Sequence, residues 1–102
     1  MIYKIEWTPT AQSSFVYEVD FIFRKWNYKE VSKFEDLVEN EIRRVALNPQ
    51  IGIQNSNGIS SLVLSKQTTL YYRIKDNDYL VELLLFWNNL KNPTNLAKFL
   101  YR

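Results

Sequence analysis

Thr68-Thr69-Leu70-Tyr71-Tyr72-Arg73-Ile74-Lys75 and, after Asp76-Asn77-Asp78, Tyr79-Leu80-Val81-Glu82-Leu83-Leu84-Leu85-Phe86-Trp87 form the stretch that decides the fold. In the first run Leu70, Tyr72 and Ile74 alternate with Tyr71, Arg73 and Lys75. That is the period of a strand with one face in a core and the other carrying two cations. The second run is apolar almost throughout, which predicts a central strand covered on both faces for much of its length. Asp76-Asn77-Asp78 is short enough for a hairpin, as is Ser65-Lys66-Gln67 between Thr68 and an upstream β-rich run from Ile59 to Leu64. Three consecutive antiparallel strands are therefore predicted.

Before them, Gln50 to Gly58 is rich in Gly, Asn and Ser and nearly chargeless, which reads as a loop. Further upstream the period changes. Val31, Phe34, Leu37, Val38, Ile42 and Val45 recur every three or four residues among charged ones, an amphipathic helix stopped by Asn48-Pro49. Ala11, Phe15, Val19, Ile22, Phe23 and Trp26 make a second such stripe, with Val16, Tyr17 and Phe21 off it. So wide an apolar surface serves either the next helix or a partner protein. Thr8-Pro9 predicts the start of this helix, threonine capping and proline at the first helical position. Asn27-Tyr28 separates the two helices so briefly that they should form a hairpin. At the front, Tyr3, Ile5 and Trp7 alternate with Lys4 and Glu6, a first strand. At the end, Asn92-Pro93 predicts the cap and first residue of a short helix running to Tyr101.

The resulting order, β-α-α-β-β-β, gives an α+β fold: an antiparallel sheet with a two-helix hairpin packed on one face and a short C-terminal helix. The chain's 102 residues, 46% of them hydrophobic, suit one domain over 1–102. Three Trp, seven Tyr and six Phe supply large buried areas for a chain of this size.

Composition excludes much chemistry. With no Cys and no His there is neither a disulfide framework nor a Ser-His-Asp or Cys-His catalytic group, and a zinc site is not expected. Proton transfer would fall to carboxylates, Lys, Tyr or an outside group. No cofactor or metal is expected. The start lacks a basic segment followed by an apolar run, and no stretch approaches the roughly 20 apolar residues that span a bilayer, so a cytoplasmic protein without membrane contact is expected. The net charge of +2 is small, but residues 58–102 hold six Lys/Arg against three Asp/Glu, while residues 1–57 hold seven against eight. The positive excess lies in the C-terminal half.

Four segments resemble the RelE/ParE superfamily of bacterial toxins. Tyr3-Lys4-Ile5-Glu6-Trp7-Thr8-Pro9-Thr10-Ala11 resembles the family's first strand running into W-S-x-x-A. Ala46-Leu47-Asn48-Pro49-Gln50-Ile51-Gly52 is similar to its L-x-N-P-x-x-G turn, and Leu64 to Ile74 to its L-T-K-Q-x-x-L-Y-Y-R-I hairpin. Leu85 to Pro93 is similar to an L-F-x-x-R-Q-N-P ending of one branch. The four come in order and cover almost the whole chain.

The resemblance implies the toxin of a type II toxin–antitoxin system, neutralised by a cognate antitoxin whose tail folds across hydrophobic and basic grooves, with a homodimer left open. It implies one of two targets. RelE-like members cut ribosome-bound mRNA with Lys, Arg and Tyr and no metal, and ParE-like members poison DNA gyrase. For cleavage the candidates are Lys66, Arg73, Lys91 and Tyr101; for antitoxin or target binding they are Phe21, Lys75, Trp87, Lys98 and Arg102. Leu90 stands where the branch carries Arg, and Ser60 and Ser61 stand where many members carry Arg. A neighbouring lysine, Lys91, offers a point charge and not a two-pronged guanidinium. The thinned cationic set favours the gyrase-binding reading; the alternatives are the ribosome-dependent endoribonuclease and an inactive member kept as an interaction module.

Overall fold

The protein is described from a computed structural model that covers residues 2–92 and 95–100. Strand β1 (Lys4–Trp7) leads into helix α1 (Pro9–Lys25), followed by α2 (Tyr28–Leu47), β2 (Ile53–Gln54), β3 (Ile59–Val63), β4 (Thr68–Lys75), β5 (Leu80–Asn88) and α3 (Leu96–Leu100). Thr8 caps α1 by accepting from the Ala11 amide at 3.1 Å, and its hydroxyl also donates to the Leu83 carbonyl at 2.8 Å, tying the strand–helix corner to β5. Asn27 caps α2 through the Glu30 amide at 3.1 Å. Asn48 ends α2, as its Asn-Pro pair predicts.

The strands lie in the order β1-β5-β4-β3-β2. β3, β4 and β5 are antiparallel in register, with Ser60 opposite Tyr72 and Leu70 opposite Phe86. The sheet as a whole is mixed. β1 joins it in parallel beside β5, Ile5 opposite Val81 and Trp7 opposite Leu83, because the helical hairpin carries the chain back across the layer as a long crossover. The expected loop after Pro49 contains a 3₁₀ turn over Pro49–Ile51 and the edge strand β2, whose two residues are too few to leave a periodic signal. β5 lies between β1 and β4 over Leu80 to Leu83 and is an edge beyond, and Val81, Leu83, Leu85, Phe86 and Trp87 on it are all buried.

One face of the sheet meets both helices. Leu70, Tyr72, Val81, Leu83 and Phe86 pack there against Ala11 and Ile22 of α1 and Val31, Phe34, Val38 and Val45 of α2. Aromatic rings join the layers: Phe15 of α1 meets Trp7 at 5.5 Å and Phe86 at 5.4 Å, both edge to face. Removing a core side chain such as Leu70, which has no exposed surface, costs about 2–5 kcal/mol in general.

The α1 stripe differs from its sequence expectation. Phe23 and Trp26 are mostly exposed, and Glu18 is wholly buried. The helix meets β5 along the line Ala11, Glu18, Ile22, at steps of seven and four, so its last turn overhangs the sheet. The C-terminal helix begins at Leu96, after Asn95 donates to the Asn92 carbonyl at 3.1 Å, and Pro93, its expected first residue, lies outside the described residues.

Candidate functional site

β1 is paired with β5 only as far as Trp7 opposite Leu83, which leaves the last five residues of β5 without a strand on that side. α1 fills the gap. Ser14 caps the free edge, its Oγ accepting from the Phe86 amide at 2.9 Å. Beside this edge lies a cleft of about 270 Å³, lined by Ser13 and Tyr17 of α1, Leu85 and Trp87 of β5, Lys91 and Phe99. That is the small end of the range for ligand cavities, which suits a side chain more than a cofactor.

Lys91 dominates the cleft. Its ammonium lies 3.8 Å from the centre of the Tyr17 ring and 5.4 Å from that of Trp87, within cation–π range of both. Phe99 of α3 rests on Trp87 at 5.9 Å. Lys98 joins Lys91 along the adjoining surface with Asn92 and Asn95, and among the described residues no acid lines either depression. Beneath the cleft Glu18 accepts from Thr68 Oγ1 at 2.6 Å. Burial pushes the Glu18 carboxyl above its usual range, while Thr68, Asn88, Gln67 and the charge of Lys91 pull the other way. The Asn88 and Gln67 amides lie close enough to act on the carboxylate, yet Glu18 Oε2, Asn88 Nδ2 and Gln67 Nε2 each lack a partner in hydrogen-bond geometry among the described residues.

The sequence candidates separate into two groups. Arg73 lies opposite Glu82 in the β4–β5 register, and Lys75 Nζ is 3.6 Å from Glu82 Oε2, so both cations and this carboxylate lie on the sheet face turned away from α1 and α2. Lys66 sits in the exposed β3–β4 turn, whose backbone is clipped to the end of β5: Asn89 Nδ2 donates to the Lys66 carbonyl at 3.1 Å. Trp87 and Lys91 lie in the cleft, and Lys98 on the surface adjoining it, at that same end. Six residue steps along β5, from Glu82 to Asn88, separate the groups, about 20 Å of extended chain. Phe21 is half-buried, packs against the core and has Lys25 Nζ 5.7 Å over its ring. Tyr101 and Arg102 lie outside the described residues.

Two residues, one in the cleft and one beneath it, escape the sequence reading. Tyr17 falls off the apolar stripe, which is why it stands beside the sheet edge and boxes Lys91. Glu18 gives no signal as a lone acid on an amphipathic helix, although its spacing of seven from Ala11 and four from Ile22 puts it on the buried line. No group of His, Cys, Asp and Glu among the described residues could hold a metal, and no described helix is long and apolar enough to cross a membrane.

Solved structures share this architecture. A chain of the chromosomal ParDE system of P. aeruginosa superposes with a TM-score of 0.70 at 13% identity, covering 85% of this chain and 96% of that one. This is the RelE/ParE fold. A chain of the RelBE2 toxin–antitoxin complex of Mycobacterium tuberculosis matches with a TM-score of 0.60 at 19% identity, covering 89% and 95%. The isolated RelE toxin of E. coli matches at 0.59 and 12%, covering 94% of each chain. No family model matches the sequence, and no curated protein does. At these identities the RelE/ParE fold is what is shared.

Proposed function

We propose that this chain is the toxin of a type II toxin–antitoxin pair, held inactive by a cognate antitoxin, and that it acts by binding DNA gyrase and not by cutting RNA. Likeness in fold to chains of the RelBE2 and ParDE toxin–antitoxin systems supports the toxin reading. The separation of the cations supports the gyrase branch. A metal-free ribonuclease needs cations and a proton-transfer group converging on one phosphate. Here Arg73 and Lys75 lie on the same face of the sheet as Glu82, which Lys75 engages at 3.6 Å, about 20 Å along β5 from the end that carries Lys91.

The antitoxin is read as an acidic tail with a bulky apolar side chain. Lys91 and Lys98 border the cleft without an opposing lining acid, Leu85, Trp87 and Phe99 provide its apolar walls, and a tail that folds on binding would bring both partners at once. The second reading, ribosome-dependent mRNA cleavage, is favoured by one observation: Lys66 and Lys91 lie at the same end of the sheet. Induced expression tests the pair of readings. Growth arrest with no new 5′ ends on translated mRNA by primer extension supports the gyrase reading; arrest with such ends within minutes supports the nuclease; continued growth overturns both in favour of an inactive interaction module.

A further inference from the structure

On the opposite side of α1 from the Lys91 cleft, the seam between α1 and α2 is an open groove. Near the hairpin tip it is lined by Val16, Val19, Phe23, Tyr28, Val31 and Glu35, and it continues past Glu35 over Phe15, Val38 and Ile42 toward β1. Val16 is 64%, Phe23 52% and Tyr28 74% exposed, with Phe23 and Tyr28 packed edge to face at 5.9 Å. An apolar strip of this kind is costly to leave in water and marks a docking surface. From Tyr28 to Ile42 it runs about 21 Å, close to four helical turns.

Its rim has a sign. Among the described residues that line it, Asp20, Glu35 and Glu39 stand against one cation, Arg43. Arg24 engages Asp20 at 3.0 Å and Arg43 engages Glu39, which leaves Glu35, at the middle of the groove, without an ion-pair partner among the described residues. The groove is thus the electrostatic opposite of the Lys91 cleft, and an acidic segment suited to that cleft is repelled here.

We infer that the α1–α2 seam is a second docking surface, and that its occupant is an amphipathic helix of a partner protein, about four turns long, with basic residues flanking its apolar face. Apolar anchors at every third or fourth position fill the floor from Phe23 to Ile42, and a Lys or Arg at the middle meets Glu35. The inference stands apart from the gyrase reading, since it rests on shape and charge of the seam alone.

The probe is a synthetic amphipathic helix of about 16 residues, with Leu every third or fourth position and Lys on both flanks, labelled for fluorescence anisotropy and titrated with the full chain. Its twin carries Glu in place of Lys. The basic probe is expected to bind at least about tenfold more tightly than the acidic one, Glu35→Lys to reverse that order, and Val16→Asp to weaken the basic probe by about tenfold. Both positions lie on the surface, so an unchanged thermal midpoint separates lost docking from lost folding. Equal or absent binding of the two probes overturns the inference, as does an affinity untouched by Glu35→Lys. Sedimentation that finds the chain dimeric and Val16→Asp monomeric also overturns it, because a second copy would then be the occupant.

Discussion

Thr68 Oγ1 donates a 2.6 Å hydrogen bond to Glu18 Oε1, joining the middle of α1 to the start of β4 at a point closed to solvent. The bond satisfies one carboxylate oxygen, and the other has only the poorly aimed amides of Asn88 and Gln67 near it. A buried charge with half its hydrogen bonds is expensive, which is why burial dominates and raises the carboxyl's affinity for protons.

The sign of the pH dependence follows. The folded-state value lies above the unfolded one, so the stability from protonated Glu18 is complete below the ordinary carboxylate range and is lost as pH rises through the raised value. Glu18→Gln keeps the acceptor for Thr68 and removes the charge, with the Gln67 amide free to turn and accept. Urea midpoints at pH 5 and pH 8 check this: the variant should gain on the native chain at pH 8 and lose most of that gain at pH 5. An equal deficit at both values contradicts it.

Tyr72 is a second buried anchor. Its hydroxyl donates to the Pro49 carbonyl at 2.7 Å and accepts from the Gly52 amide at 3.0 Å, holding the turn after α2 to the centre of β4. Tyr72→Phe orphans both backbone groups and should cost about 1–3 kcal/mol by denaturant unfolding. A Cβ at Gly52 would lie 2.5 Å from the Tyr72 oxygen and 2.9 Å from the Ser61 carbonyl, so Gly52→Ala should also destabilise. The double variant should cost less than the two added together, since removing the hydroxyl removes the nearer clash.

Ser14 closes the free edge of β5. Ser14→Ala leaves the part-buried Phe86 amide without its acceptor and should cost about 1 kcal/mol. Amide hydrogen exchange localises the effect: Phe86 should exchange faster than in the native chain, with the β3–β4 pairing unchanged.

Lys91 is expected to carry antitoxin binding and little stability. Its ammonium is held by rings and not by a carboxylate contact, so Lys91→Ala should shift the unfolding free energy by less than about 1 kcal/mol. In the complex the same change should weaken the antitoxin by about tenfold or more through a faster off-rate, and Lys91→Glu by more still, read by surface plasmon resonance. Unaltered dissociation of both variants contradicts the cleft as the antitoxin's seat.

Much of the fold is written in two periodicities. Alternation in Leu70-Tyr72-Ile74 and three-and-four spacing from Val31 to Val45 are imposed by packing on one face, so they survive as patterns. The parallel pairing of β1 is not written there, because Tyr3, Ile5 and Trp7 would alternate identically beside either neighbour. The overhang of α1 is equally silent: Phe23 and Trp26 continue the helical stripe although no sheet lies beneath them. For the site, composition flags Lys66, Arg73, Lys75, Lys91 and Lys98 one at a time. Their division between two ends of the sheet is a matter of register, set by the β4–β5 pairing. Glu18 is found only from the interior, since its environment comes from Thr68 and Asn88, fifty and seventy residues away.

The gyrase reading meets its most direct test in a supercoiling assay. Purified chain in molar excess is added to DNA gyrase with relaxed plasmid and ATP, with and without the antitoxin. Supercoiling is expected to fall with added chain and to be restored by the antitoxin. Undiminished supercoiling at every excess of chain, with new 5′ ends on translated mRNA in a parallel translation reaction, would contradict it.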